Sequence, residues 1–126
     1  MSEFSYPLDV NKILRKKKSF KRQLLNRNNL IEKKVAILGG STTSEIKDVL
    51  ELFLLNDGIK PQFYESEYNK YYEDSLFGND VLDNFKPDIV YIHTTNVNIT
   101  NFPDPKDEVS DVDVLLENEI KKFKSI

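Results

Sequence analysis

An apolar run that stops on two glycines, KKVAILGG, is followed at once by STTSEIKDVLELFLLNDG, in which apolar residues recur at helical spacing. The run is short and bounded by glycine, so residues 34–38 are expected to form a strand buried on both faces, as parallel strands covered by helices are. In the segment after it Ile46, Val49, Leu50, Phe53 and Leu54 share one helical face. Thr42 and Glu45 have the spacing of a capping box, and Gly58 stands just past the end. A strand, a tight turn and an amphipathic helix commit the chain to building with βα units. IKPQFYESEY then reads as a second strand, FGNDVLDNFKPD as a short helix ending before Pro87, and DIVYIHTT as a third strand. Strands alternating with helices imply right-handed crossovers, so we expect a three-layer α/β fold with a parallel sheet in the order 2-1-3. Residues 95–108 form a polar loop with two prolines and three asparagines, a length that in compact domains marks function or mobility. The last helix puts Val112, Leu115, Leu116, Ile120 and Phe123 on one face, with Ser110 as its expected cap. Three strands are few for such a sheet, and we expect an incomplete domain belonging to a longer protein, with strand three as an open edge prone to self-association.

Ahead of the first strand lies LRKKKSFKRQLLNRN, and residues 1–34 hold ten Lys or Arg against three acids. The rest of the chain then carries eight bases against eighteen acids, a net of −10. Residues 1–32 are expected to be a basic arm of two short helices capped by Asp9 and Ser19, and residues 33–126 the α/β body. Ile13, Leu14, Phe20, Leu24 and Leu25 give the arm an apolar face, so it is expected to pack on its own acidic body rather than on nucleic acid, whose phosphates that body would repel. The sequence has no cysteine and one histidine, which removes disulfides, thiol nucleophiles and thiolate zinc sites and agrees with a reducing, cytoplasmic setting. MSEFSYPLDV has no basic start leading into an apolar stretch, and no run approaches the length of a membrane helix. Neither secretion nor a membrane partner is expected.

In an open parallel sheet ligands bind beyond the carboxyl ends of the strands, where the order 2-1-3 sets strands one and three side by side. The loop holding Gly39, Gly40, Ser41, Thr42 and Thr43 should therefore face residues 94–98. Glycines allow close backbone approach, the hydroxyls can bond a ligand, and a helix start offers free N–H groups, so an anion fits there. The same residues can equally serve only as a turn and a cap. His93 at the end of strand three is the one base placed to serve Ser41, with Glu65 or Glu67 to orient it, although a single histidine in an apolar strand is commonly structural. Tyr64, Tyr68, Tyr71 and Tyr72 read as core or interface. Neither GxGxxG nor GxxxxGK[ST] occurs, which leaves dinucleotide and P-loop readings without support. Asp111-Val112-Asp113 follows charged residues rather than an apolar strand and reads as a helix start.

VAILGGSTT, ELFLLNDGIKPQFYESEYNKYYED, FKPDIVYIHTTNVNI and the FSYPLDVNKILRKKK arm resemble the region ahead of the phosphatase domain in FkbH-like proteins, subfamily IIIC of the haloacid-dehalogenase superfamily. The resemblance implies an SGNH-hydrolase-like α/β domain, followed in the parent protein by a magnesium-dependent phosphatase-like domain. It implies that the parent loads a glyceryl unit, taken from a phosphorylated three-carbon acid, onto an acyl carrier protein. By that likeness Ser41 is the SGNH nucleophile, Gly40 stands where the motif has Asp, and either Asn96 or Asn98 takes the place of the oxyanion-binding Asn. The Asp-x-x-His of such hydrolases and the phosphatase aspartates have no counterpart here, so no cofactor is expected in this chain and little activity from it alone. A non-catalytic docking or self-association module, and a flavodoxin-like anion or phosphate site, are the alternatives.

Overall fold

The structure, a computed structural model, describes residues 2–126. After a single turn at Ser2–Phe4 come α1 (Val10–Arg15), α2 (Lys17–Leu25), β1 (Ile31–Gly39), α3 (Ser44–Asn56), β2 (Ile59–Glu65), α4 (Tyr71–Phe77), α5 (Asp80–Phe85), β3 (Ile89–His93), a turn at Asn96–Asn98 and α6 (Val109–Lys124). The sheet has three strands in the order β2-β1-β3, and both pairings are parallel, Ile31 opposite Ile59 and Gly39 opposite His93. The α/β architecture expected from the alternating pattern is therefore the one observed.

β1 is central, and Val35, Ala36, Ile37 and Leu38 are all buried because each of its faces is covered. On one side α3 packs on the sheet and in turn carries the arm: Phe4, Ile13, Phe20 and Leu24 form a cluster with Leu52 and Leu55. The Phe4 ring stands edge-on to Phe20 and Phe53, each at 5.4 Å between centroids. Lys17–Asp48 at 3.6 Å and Lys21–Glu51 at 2.9 Å tie the basic arm to the acidic side of α3. On the other side Ala36 and Leu38 meet Tyr71 and Leu82, with Tyr64, Tyr72, Phe85 and Phe123 packed around them. Tyr68, in contrast, is exposed.

Several local expectations need correction. β1 begins at Ile31, before residue 34, because β2 pairs with it from there. β2 ends at Glu65, and the tyrosine-rich stretch after it forms α4. Leu14 and Leu25 lie on the outer side of the arm, while Asp9 does cap α1, accepting from the Lys12 amide at 2.9 Å. Ser19 does not cap α2, which starts at Lys17. α6 starts at Val109, with Glu108 and Asp111 as its capping pair in place of Ser110. α3 ends as expected: Gly58 takes φ of 85° and hands the chain to β2, its carbonyl accepting from the Ile31 amide at 2.8 Å. Among the described residues no helix is long and apolar enough to cross a membrane.

Candidate functional site

β1 delivers its two glycines to the carboxyl edge of the sheet, where they are held on three sides. The Gly39 amide donates to Ser66 Oγ at 3.0 Å, and the Gly40 amide donates to the His93 carbonyl at 2.8 Å. Both positions are too crowded for a side chain. A Cβ on Gly39 would stand 2.6 Å from Thr43 Cγ2, and one on Gly40 would stand 2.4 Å from both polar atoms of the Asn98 amide. The pair of glycines is thus set by close approach, which is one use for which a chain spends glycine.

The two loops expected to face each other do so, and Asn98 joins them. Its Nδ2 donates to the Gly40 carbonyl at 2.8 Å and to Asn69 Oδ1 at 3.3 Å, while its Oδ1 accepts from the Thr95 amide at 2.8 Å. A buried carboxamide with both donors and its acceptor engaged is a latch, so Asn98 has no N–H to offer an oxyanion. Asn96 is exposed, and its side chain has no hydrogen-bond partner among the described residues. Asn69 reaches the latch from a left-handed backbone position, φ 60°. Further back, Lys122 Nζ donates to the Asn98 carbonyl at 2.7 Å. Glu119 accepts from the Asn101 amide and side chain at 3.1 and 2.8 Å. Burial works to raise the Glu119 pKa, but the Asn101 donors, the Lys122 charge and the Thr100 hydroxyl together hold it below the usual carboxylate range.

Thr43 is buried at the start of α3, and its side chain turns away from the helix amides to donate to Glu65 Oε1 at 2.8 Å. The other Glu65 oxygen meets Lys47 Nζ at 2.9 Å. Partial burial opposes ionisation of Glu65, and the hydrogen bonds from Lys47 and Thr43, with the Lys47 charge, more than offset it, so its pKa is lowered. The expected Thr42–Glu45 capping box is absent: Thr43 occupies the cap position, without a side-chain cap bond. Ahead of the helix, among the described residues, the Ser41, Thr42 and Thr43 amides have no hydrogen-bond partner, nor have the Ser41 and Thr42 hydroxyls. Ser41 is half-buried and Thr42 exposed.

The structure does not join Ser41 to His93. His93 is in register with Gly39, and its Nδ1 lies 3.1 Å from the Tyr91 hydroxyl, on the same side of the strand. Neither acid orients it, since Glu65 serves Thr43 and Lys47 while Glu67 is exposed beside Lys70 at 3.9 Å. Of the remaining participants the sequence reading missed Asn69, Glu119 and Lys122. Glu119 left a signal: it falls in the apolar stripe of the last helix, between Leu115 and Phe123, where a carboxylate needs polar partners. The residues present do not fit the magnesium of the resembled family. Among the described residues no three Asp, Glu or His side chains are gathered to hold a metal ion, and Asp111 and Asp113 lie in α6.

No family model matches the sequence, and no curated protein matches it. Among solved structures the chain is similar to the crystal structure of the N-terminal part of the protein BF1531 from Bacteroides fragilis, described as containing a phosphatase domain and complexed with Mg. The TM-score is 0.62 at 18% identity over 86% of this chain, which spans 29% of that one. At this identity the likeness shows the open α/β fold and nothing of the chemistry.

Proposed function

We propose that this chain is the amino-terminal α/β region of an FkbH-like protein and that it takes up an acyl unit on Ser41, the phosphatase chemistry belonging to another domain. The observation that carries the reading is the half-buried Ser41 hydroxyl, free of any partner, at the carboxyl edge of the central strand beside three unbonded amides. Such amides can stabilise the oxyanion that forms when a serine oxygen attacks an acyl carbonyl. The proton of Ser41 would pass to a base and phosphate would leave from the acyl-phosphorylated acid; the carrier thiol would then attack the Ser41 ester, taking the acyl unit while the Ser41 oxygen recovers a proton. The parent's partner on this reading is an acyl carrier protein and its acyl unit a glyceryl group. The resemblance of the quoted segments to FkbH-like proteins supports it, and the BF1531 fragment shares the open α/β fold on which it rests. The test is to incubate the full-length protein with an acyl-phosphorylated three-carbon acid, without carrier, and map the adduct by mass spectrometry. A glyceryl mass on the Ser41 peptide, lost in Ser41→Ala, is expected; no adduct, or one that persists in the variant, rejects the reading.

A second reading, a docking or self-association module, is favoured by the unguarded edge of the sheet. β3 carries neither charge nor proline over Ile89–His93, whereas β2 at the opposite edge has Lys60 and Pro61. Ile89, Val90 and Tyr91 are exposed there. An edge of this kind invites another strand unless something covers it. Sedimentation of the chain showing concentration-dependent association, abolished by Val90→Lys, is the outcome this reading requires.

A further inference from the structure

Two hollows open along the outer side of α3, one of about 470 Å³ against Leu14, Val49 and Phe53 and one of about 290 Å³ running on to Ile89 and Tyr91 of β3. Ile46 and Leu50 line both, so the two form one trough, apolar along its length apart from Glu45 at the rim. The arm buries Leu52 and Leu55 of α3 and leaves this flank open. At its Leu14 end the trough meets a third hollow of about 450 Å³, whose walls carry Arg15, Lys16, Lys18 and Arg22. Lys17 and Lys21 are held by Asp48 and Glu51, whereas those four form no ion pair among the described residues. An apolar trough with free cations at one end fits an apolar stripe with acids beside it. Nucleic acid would satisfy the cations and leave the trough empty.

The chain itself carries such a stripe on the opposite face of the sheet. α6 turns Glu119 and Phe123 inward. Val109, Leu116 and Ile120 recur at helical spacing on a second stripe, 78, 58 and 43% exposed. Asp113 and Glu117 lie along its flank, both exposed and neither in an ion pair among the described residues. The same polarity runs through the whole chain. Residues 1–34, with ten bases less three acids, carry a net +7, and the rest carries −10. Copies stacked head to tail therefore set unlike charges together, whereas two troughs face to face would set like charges together.

We propose that the trough binds a second copy of the chain, the α6 stripe of one copy lying against α3 of the next with Asp113 and Glu117 facing the arm's free cations. The contact uses no backbone of β3, so it is separate from strand pairing at the sheet edge, and it does not depend on what Ser41 does. The two surfaces differ, so blocking one leaves the other able to bind. The experiment is sedimentation velocity on the whole chain over a range of concentrations, at low and at high salt. Two variants at exposed positions accompany it, Leu14→Glu in the trough and Leu116→Lys on the stripe. The unaltered chain should associate as its concentration rises, and less so at high salt; Val90→Lys should leave that association unchanged. Each of the two variants alone should be monomeric. Mixed in equal amounts they should form a dimer of one of each and nothing larger, because only one trough and one stripe remain intact. A monomer at every concentration, variants that associate like the unaltered chain, or a mixture that stays monomeric would each overturn the proposal. Association lost in Val90→Lys and kept in both other variants belongs to the β3 edge and overturns it as well.

Discussion

A methyl group at position 40 would meet the Asn98 carboxamide at 2.4 Å, and Gly40 does not have a positive φ, so the cost of Gly40→Ala is a cost of contact rather than of backbone strain. We expect it to destabilise by about 1–3 kcal/mol, the range for overpacking. Asn98→Ala should cost about 1–3 kcal/mol by leaving the Gly40 carbonyl and the Thr95 amide without their partner. Because one side chain causes both effects, the double variant should cost clearly less than the sum of the two singles. Urea unfolding of the four proteins measures this, and strict additivity would show that the loops are not latched through Asn98. Glu65 and Glu119 give the molecule a definite acid response. Both have folded pKa values below the ordinary carboxylate value of 4.5, so their stabilisation is complete above that value and is lost as pH falls through the lower, folded ones. Stability should therefore drop from about pH 4.5 downward, and the double variant Glu65→Gln, Glu119→Gln should show a shallower acid limb. If the limb keeps its slope, other carboxylates carry it.

The helices and strands differ in how plainly the sequence announces them, and the reason is where each finds its partners. β1 was legible because a central strand covered on both faces is apolar throughout, and α3 because its stripe, its length and Gly58 agree. α4 was not: YYEDSLF is seven residues, begins with strand-favouring tyrosines and buries Asp74, so neither propensity nor pattern marks it. At the start of α3 a tertiary bond replaces a local cap. Thr43 sits at the helix start, yet its hydroxyl goes to Glu65 on a neighbouring strand, and such a competitor is invisible in local sequence. The Ser41, Thr42 and Thr43 amides just ahead of α3 have no partner among the described residues, and phosphate titration should shift them weakly and saturably. Fixed shifts at tens of millimolar would reduce the loop to a turn. The arm's helices are too short to persist alone, and their fate is tied to α3. Leu24 is fully buried against that helix, so Leu24→Ala should cost about 2–5 kcal/mol in the unfolding of the whole chain. A separate, earlier transition of the arm would contradict the shared core.

For the molecule as a whole, the sequence conveyed the sheet order and the two facing loops, while the side chains that complete the site came from distant elements: Asn69 from the β2–α4 connection, Glu119 and Lys122 from α6. What those elements build is a held loop, not an activated nucleophile. A serine hydroxyl is a weak nucleophile until a positioned base takes its proton, and here the one histidine is paired with Tyr91 and not with Ser41. Both nearby glutamates have other partners: Thr43 and Lys47 for Glu65, Lys70 for Glu67. Free amides can stabilise an oxyanion but cannot by themselves remove the proton, and loss of a triad member lowers rates by about 10⁴-fold or more. This chain alone should therefore show no measurable hydrolysis of short-chain p-nitrophenyl esters or of p-nitrophenyl phosphate. The assay is run beside Ser41→Ala and His93→Ala at equal concentration, so that background and trace contamination are subtracted. Activity that vanishes in both variants would mean that Ser41 and His93 come together in solution to form a working dyad, and the separation seen in the structure would have to be a resting arrangement.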